Sequence, residues 1–290
     1  MTSPEFNARY GILAVSDISL GYGSPQIQMF LQSLAEHYDT RAYVIETDEP
    51  HRPPAPLENC DRLDVSRSSS VQPYWCLSSH IERNFEALEM AREHQPPVIV
   101  LFSPMQLPFL PKLGYKPKKV ILYLLEIDAH MYTRALRLYA QHVDHFIFPE
   151  YERMRFVLGE IPKQPDVRAS IIYNVARYNP AAKPVPTADR EKAILYAGTL
   201  TSDTTLALEF LEEPLSRLPI HIYGNFSGHD AGDLRVAFLA HQNNKNGLRY
   251  EGYVPGVQLR ARIPRYAFSF VRWNPASGMN FHFACPNKFF

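Results

Sequence analysis

The feature that most constrains this chain is a series of short, nearly uninterrupted apolar runs. They fall at Tyr10 to Val15, Ala42 to Ile45, Val98 to Phe102, Val120 to Leu125 and Asp144 to Phe148. They resume at KAILYAG from Lys192, Ile220 to Tyr223, Leu248 to Tyr250 and Ala267 to Val271. Runs of this length without polar alternation suit strands buried on both faces, as in parallel sheets covered by helices. Between them lie segments with apolar residues at helical spacing. One is Ile27, Phe30, Leu31, Leu34 and Tyr38, and another is Tyr132, Ala135, Leu136, Tyr139, Ala140 and Val143. The repeated order of strand, loop and helix predicts an α/β fold, and both halves of the chain begin in that order. With 290 residues, 46% of them hydrophobic, there is material for two medium domains with cores of their own. Ser170 to Tyr173 reads as the last strand of the first half, and the proline-rich polar stretch from Asn179 to Asp189 as a linker. A first domain at residues 1–180 and a second at 181–290 follow.

Charge and cysteine usage exclude several classes of function. The 30 basic and 30 acidic residues cancel, and no Lys/Arg cluster forms a phosphate-tracking stripe, so nucleic acid is not an expected partner. The N-terminus lacks the apolar core of a signal peptide, and no run approaches the ~18 apolar residues of a membrane span, which predicts a soluble, cytoplasmic chain. Cys60, Cys76 and Cys285 are odd in number, far apart and without a CxxC pair, so neither a disulfide framework nor a zinc site is expected.

Open α/β sheets place ligands at the carboxyl ends of their strands, so the residues that follow each run are the candidates. After the first run comes SDISLGYGSP, where Gly21 and Gly23 let backbone approach a phosphate and Ser24 adds a hydroxyl. Gln26 stands where a dinucleotide fingerprint has its third glycine, and a simple turn is the alternative. The excursion from Asp48 to Val71 and the loop-rich stretch from Ser103 to Lys118 carry no readable code. Val120 to Leu125 delivers Glu126, Asp128 and His130, the acid–base candidates of the first half. Asp128 suits the N-cap of the next helix equally well, and His130 suits a surface position. Glu150 and Tyr151 follow the next run, where Glu150 is also a favourable first-turn acid. In the second half, Gly198 and Thr199 end one run, and TSDTTLALEFLEEPL then predicts a helix with Asp203 or Thr204 at its N-cap. Gly224 and Asn225 end the next run, either as a ligand loop or as a plain turn. The last run leads into WNPASGMNFHFACPNKFF, Trp273 to Phe290. Its CPNKFF reads as a helix opening, with Pro286 in the first turn, Asn287 as a cap and Lys288 beside exposed N–H groups that attract an anion. Ser277, Gly278 and Asn280 lie in the polar loop before it.

A strand, a small-residue loop and a PNK-aromatic helix start, preceded by the GYVP of Gly252 to Pro255, resembles the donor half of a GT-B glycosyltransferase. The group is the retaining, glycogen-synthase-like one, and its order of elements matches most of the chain. The resemblance implies two Rossmann-like α/β domains facing across a cleft. The second is expected to be incomplete, because in that group the PNK segment runs on into the second of two Glu residues separated by seven. The chain stops short of that Glu, and the spacing would put the first at Phe283. The implied donor is a nucleoside-diphosphate sugar, UDP-sugar favoured, and the implied acceptor a saccharide or a lipid-linked precursor. No further cofactor and no metal is implied, and the inner membrane face becomes a candidate peripheral contact.

The resemblance also implies roles. Lys288, with the N–H groups from Asn287 to Phe289, would hold the leaving diphosphate. Ser277, Gly278 and Asn280 would touch sugar or phosphate, and Gly198, Gly224 and Asn225 would line the nucleotide. The main chain at Tyr253 and Val254 would pair with the base edge, and Gly21, Gly23 and Ser24 would lie near donor phosphates and acceptor. A retaining reaction needs no protein base, since a leaving-phosphate oxygen takes the proton. An inverting one would call on Glu126, Asp128 or His130. Two alternatives stand beside this: a glycosyltransferase-like fragment that only binds nucleotide or a partner, and a nucleotide-sugar 2-epimerase, whose additional acid–histidine cluster the sequence does not show.

Overall fold

In a computed structural model of the chain, the apolar runs form parallel strands throughout the described residues, which are 9–17, 20, 25–47, 60–68, 77–127, 130–162, 167–173, 185–203, 205–212, 218–241, 247–254, 256–271 and 274. The chain divides into two units, Met1–Ala176 and Arg177–Phe290, whereas the sequence reading sets the division after residue 180.

Unit 1 holds a seven-stranded sheet in the order β3-β2-β1-β4-β5-β6-β7. Its strands are β1 (Tyr10–Val15), β2 (Arg41–Thr47), β3 (Leu63–Ser68), β4 (Val98–Leu101), β5 (Lys119–Tyr123), β6 (His145–Phe148) and β7 (Arg168–Ile171). Helices α1 (Pro25–His37), α2 (Leu77–His94), α3 (His130–Tyr139) and α4 (Tyr151–Glu160) connect them. Ile12, Ala14, Val44, Val100, Ile121 and Ile147 pack on one face of the sheet with Ile27, Leu31 and Ala35 of α1. Each of the Ile, Leu and Val side chains, once buried, stabilises the fold by about 1.5–3 kcal/mol relative to leaving it in water. The strand order reverses between β1 and β4, a switch point of the kind at which open parallel sheets bind ligands beyond their carboxyl ends.

Unit 2 has four described strands in the order β10-β9-β8-β11. They are β8 (Glu191–Ala197), β9 (Ile220–Tyr223), β10 (Leu248–Gly252) and β11 (Tyr266–Phe270), with helices α5 (Glu209–Glu212), α6 (Ala231–His241) and α7 (Gly256–Arg262). Strand alternation divides β8 between two cores. Ile194 and Tyr196 face Phe210, Leu234 and Phe238, while Ala193 and Leu195 face Tyr266, Leu259 and Ile263. Burial on both faces is why β8 shows no polar alternation in sequence. The switch point of this sheet lies between β8 and β11.

Three expectations need correction. The helix expected from Thr201 onward is a turn followed by the single turn of α5. Thr201 and Thr205 satisfy each other instead: Thr201 N–H donates to Thr205 Oγ1 at 2.9 Å and Thr205 N–H to Thr201 Oγ1 at 3.2 Å. Leu206 then takes a φ of 51°. Such hydroxyl-to-backbone pairing offers the chain an alternative to a helix. Asp203 sits in that turn, and Thr204 lies outside the described residues. Second, the stretch read as loop-rich contains a 3-10 helix, Pro104–Lys112, started by a capping box of Ser103 and Gln106. Third, β11 reads as a core strand but pairs with β8 alone among the described strands, and Phe268 on it is 55% exposed.

Candidate functional site

At the carboxyl edge of unit 2 three neighbouring strands end in glycine. Gly198 follows β8, Gly224 follows β9, and Gly252 closes β10. Gly198 N–H donates to Tyr223 O at 2.9 Å, and Gly224 N–H to Gly252 O at 3.0 Å. A Cβ on Gly224 would stand 1.7 Å from the carbonyl oxygen of Gly198, so only glycine fits. Two tyrosines, Tyr196 buried and Tyr250 half-buried, brace the loops. Tyr250 O–H donates to Gly224 O at 2.8 Å, and Tyr196 O–H to Thr199 O at 3.1 Å. Burial raises the pKa of Tyr250 against a small opposing influence from Arg235, which keeps the phenol a donor. Asn225 is exposed and its carbonyl accepts from Leu200 N–H at 2.9 Å. Tyr253 is exposed, whereas Val254 packs against the core beneath α7. The Ser202 hydroxyl donates to Asp230, tying the loop after β8 to the one after β9. Asn274, just beyond β11, donates from Nδ2 to Asp203 O at 3.0 Å, which brings the start of the C-terminal stretch to the switch point. The result is an edge floored by closely packed backbone, held by hydrogen bonds from one loop to the next.

The carboxyl edge of unit 1 carries a buried polar network at its switch point. Asp17, two residues past β1, is 6% exposed, and Ser103, two past β4, is 1% exposed. The Ser103 hydroxyl bonds Asp17, Arg83 lies within Coulombic reach, and burial nonetheless pushes the Asp17 carboxyl above its ordinary range. Arg83, on the buried face of α2, donates from Nη2 to His80 Nδ1 at 3.0 Å, which fixes that nitrogen as unprotonated. Burial, with Arg83 adding to it, lowers the His80 pKa from 6.5 to about 4. Gln106 Oε1 accepts from Phe102 N–H at 3.0 Å and Ser103 N–H at 3.1 Å, holding the loop after β4. At the end of β2, the buried Glu46 accepts from Leu20 N–H and from Arg67.

The sequence candidates fare unequally. Gly198, Gly224, Asn225 and Tyr253 meet on one edge. Glu126 is exposed at the carboxyl side of β5, and His130 opens α3. Arg153 donates to Leu125 O and pairs with Glu150 at 3.0 Å, holding the chain just before Glu126. Glu150 proves to be the N-cap of α4, its carboxylate accepting from Arg153 N–H at 2.8 Å, and Tyr151 begins that helix with its ring exposed. Asp128, Gly21, Gly23, Ser24, Ser277, Gly278, Asn280, Asn287 and Lys288 lie outside the described residues. Sequence reasoning missed Asp17, Glu46, His80, Arg83 and Ser103. The signal available was positional: Asp17 and Ser103 are polar residues directly following two adjacent apolar strands. Among the described residues no helix is long and apolar enough to cross a membrane.

No protein-family model and no curated protein sequence matches the chain. Solved structures do. Sucrose-phosphate synthase from Thermosynechococcus elongatus aligns with a TM-score of 0.63 at 10% identity, over 90% of this chain and 75% of that one. The lipopolysaccharide outer core galactosyltransferase WaaB in its apo form aligns at 0.56 and 12% identity, over 89% and 72%. An E. coli trehalose-6-phosphate structure bound with UDP-2-fluoro glucose aligns at 0.52 and 12% identity, over 87% and 75%. At these identities the likeness is one of fold, and together with the two parallel sheets it identifies the chain as having the GT-B glycosyltransferase fold.

Proposed function

We propose that the chain is a glycosyltransferase that binds a nucleoside-diphosphate sugar, UDP-sugar favoured, on the carboxyl edge of unit 2. The sugar goes to a saccharide or lipid-linked acceptor bound at the carboxyl edge of unit 1. The observation that carries this reading is the glycine-tight edge of β8, β9 and β10 beside a switch point, in a fold shared with a structure that holds a UDP-sugar analogue. Base and ribose lie against Gly224, Asn225 and Tyr253, and the diphosphate against Asn287 and Lys288, with Ser277, Gly278 and Asn280 toward the sugar. A helix start plus an ammonium forms a preorganised anion site. The anomeric C–O bond to the diphosphate breaks with its electron pair on the leaving group. The acceptor oxygen forms the new bond, and its proton passes to a leaving-phosphate oxygen in the retaining course. In the inverting course it passes to Glu126, Asp128 or His130. The donor is the one small-molecule requirement, with no metal or further cofactor, and a lipid-linked acceptor would bring the protein to the cytoplasmic membrane face.

The test is thermal unfolding with UDP, GDP, ADP and their sugars, followed by turnover with the sugar that stabilises. A ligand at a hundred times its dissociation constant adds about 2.7 kcal/mol to the folded state. One base should raise the Tm and Lys288→Ala should lose the rise. Binding without transfer or hydrolysis would replace the enzyme by a nucleotide-binding protein, and no stabilisation by any base would overturn both.

A further inference from the structure

Two helices of unit 1 expose apolar stripes with opposite charges beside them. On α2, Leu77, Ile81 and Phe85 stand four residues apart along one line. Glu82 and Glu89, also exposed, lie about 40–60° beyond Phe85 in the direction the helix winds. On α3, Ala135 and Leu136 take the buried face, and Met131 and Leu138 form the outward stripe. Exposed Arg134 lies about 40–60° back from that stripe, against the winding, with Arg137 beyond it; Arg137 also pairs with Glu160 of α4. The five apolar side chains are 43–60% exposed. Single apolar residues on a surface are ordinary, but a row of them edged with acid on one helix and with base on another is a patterned surface. The two helices share one face of the sheet. α2 joins β3 to β4 and α3 joins β5 to β6, both moving the same way along the strand order, and right-handed crossovers then place them on the same side. Both run antiparallel to the strands they connect, and the 3-10 helix Pro104–Lys112 packs against both.

We propose that this face docks a second copy of the chain, α2 of each copy lying parallel against α3 of the other about a two-fold axis directed along the helices. In that arrangement the windings set the Glu flank of α2 against the Arg flank of α3, while Leu77, Ile81 and Phe85 meet Met131 and Leu138. The other two-fold packing of this face lays α2 antiparallel on α2, which brings Glu82 and Glu89 of both copies to the same side. Like charges oppose that packing, so charge selects the first. Each contact occurs twice in such an isologous pair. An axis along the helices is also an axis along the strands, so the carboxyl edges of both copies of unit 1 point the same way. Under the proposed glycosyl transfer, which the pairing does not need, two acceptor edges then serve one side of the dimer.

The experiment is sedimentation equilibrium of the full chain, without nucleotide. The wild type should dimerise, and more weakly as salt rises. Phe85→Asp should raise the dimer dissociation constant roughly a hundredfold or more, since symmetry counts the loss twice. Arg134→Glu alone, and Glu82→Arg with Glu89→Arg, should each raise it roughly tenfold or more. These positions are exposed, so circular dichroism should show every variant folded as the wild type is. All three charge reversals on one chain should restore the wild-type constant, because every contact of α2 with α3 again joins opposite charges, whereas α2 packed on α2 would stay repelled. A wild type that is monomeric at every concentration, a dimer untouched by Phe85→Asp, or a triple reversal that fails to recover would each overturn the proposal. So would a monomer that binds phosphatidylglycerol vesicles through Arg134, which would give the basic stripe to a lipid surface. Because no nucleotide is present, failure of the glycosyl reading leaves the dimer result intact.

Discussion

Two glycines on one sheet edge separate two reasons for a residue to be glycine. At Gly224 the constraint is contact: an added Cβ would lie 1.7 Å from Gly198 O and 2.8 Å from Gly198 C, both backbone atoms that cannot swing aside. At Gly252 the constraint is conformation alone, with φ at 77° and nothing within 4 Å of where a Cβ would stand. Gly252→Ala should therefore cost unit 2 about 1–2 kcal/mol, the usual penalty of a left-handed residue. Gly224→Ala should cost more, about 2–4 kcal/mol, because β8 and β9 must part to admit the methyl group. The same parting moves Gly198 and Gly224, so Gly224→Ala should also abolish the nucleotide-dependent rise in Tm, which Gly252→Ala should retain. Denaturant unfolding and the nucleotide melt measure the two effects. Equal costs at the two sites would show that the close approach is not real in solution.

At the scale of the element, α2 buries Ala87, Leu88 and Ala91 in its second half as expected, but its first half inverts the rule by which a helix is read. It buries Ser79, His80 and Arg83 and exposes Leu77, Ile81 and Phe85, at 50%, 45% and 60%. A pH dependence follows from that inversion. His80 has a folded pKa near 4 against an ordinary 6.5, so as pH falls through this window the unfolded chain takes up a proton that the folded chain refuses. The stability His80 contributes is present above 6.5 and lost toward 4, with a slope of at most about 1.4 kcal/mol per pH unit. Asp17, whose pKa is raised, acts oppositely: its contribution is present below the ordinary carboxylate value and lost as pH rises through the folded one. His80→Gln keeps an acceptor for Arg83 and removes the first effect only, so the fall in Tm between pH 6.5 and 4 should be shallower than in wild type. A parallel fall would refute the burial of a neutral imidazole. The inversion also explains what could be read in the sequence. Strands such as β8 were legible because Ala193 and Leu195 face one core and Ile194 and Tyr196 another, leaving an unbroken apolar run. The loops that follow them were legible as positions, which is how Gly198 and Gly224 were found. The buried network of unit 1 was not, because His80 and Arg83 look like surface residues in a half-helix whose apolar residues Leu77, Ile81 and Phe85 are exposed. Nor was the turn at Thr201 and Thr205, where two hydroxyls outcompete a helix that composition favours.

At the scale of the whole molecule, two sheets with separate cores make a statement about unfolding. Ile12, Ile27, Leu31 and Val100 stabilise unit 1, while Tyr196, Phe210, Ile222 and Phe238 stabilise unit 2. A ligand stabilises the unit to which it binds, by an amount that grows with the logarithm of its concentration. The edge proposed for the nucleotide is that of β8, β9 and β10, so UDP should raise the transition of unit 2 alone if the donor is held there. His80→Gln, in contrast, should alter only the transition of unit 1, and only on its acid side. Differential scanning calorimetry with limited proteolysis during the melt assigns each transition to its unit. The two perturbations should then be additive, because the residues concerned share no partner. A UDP response in the unit 1 transition would overturn the assignment of the donor to the edge of β8, β9 and β10.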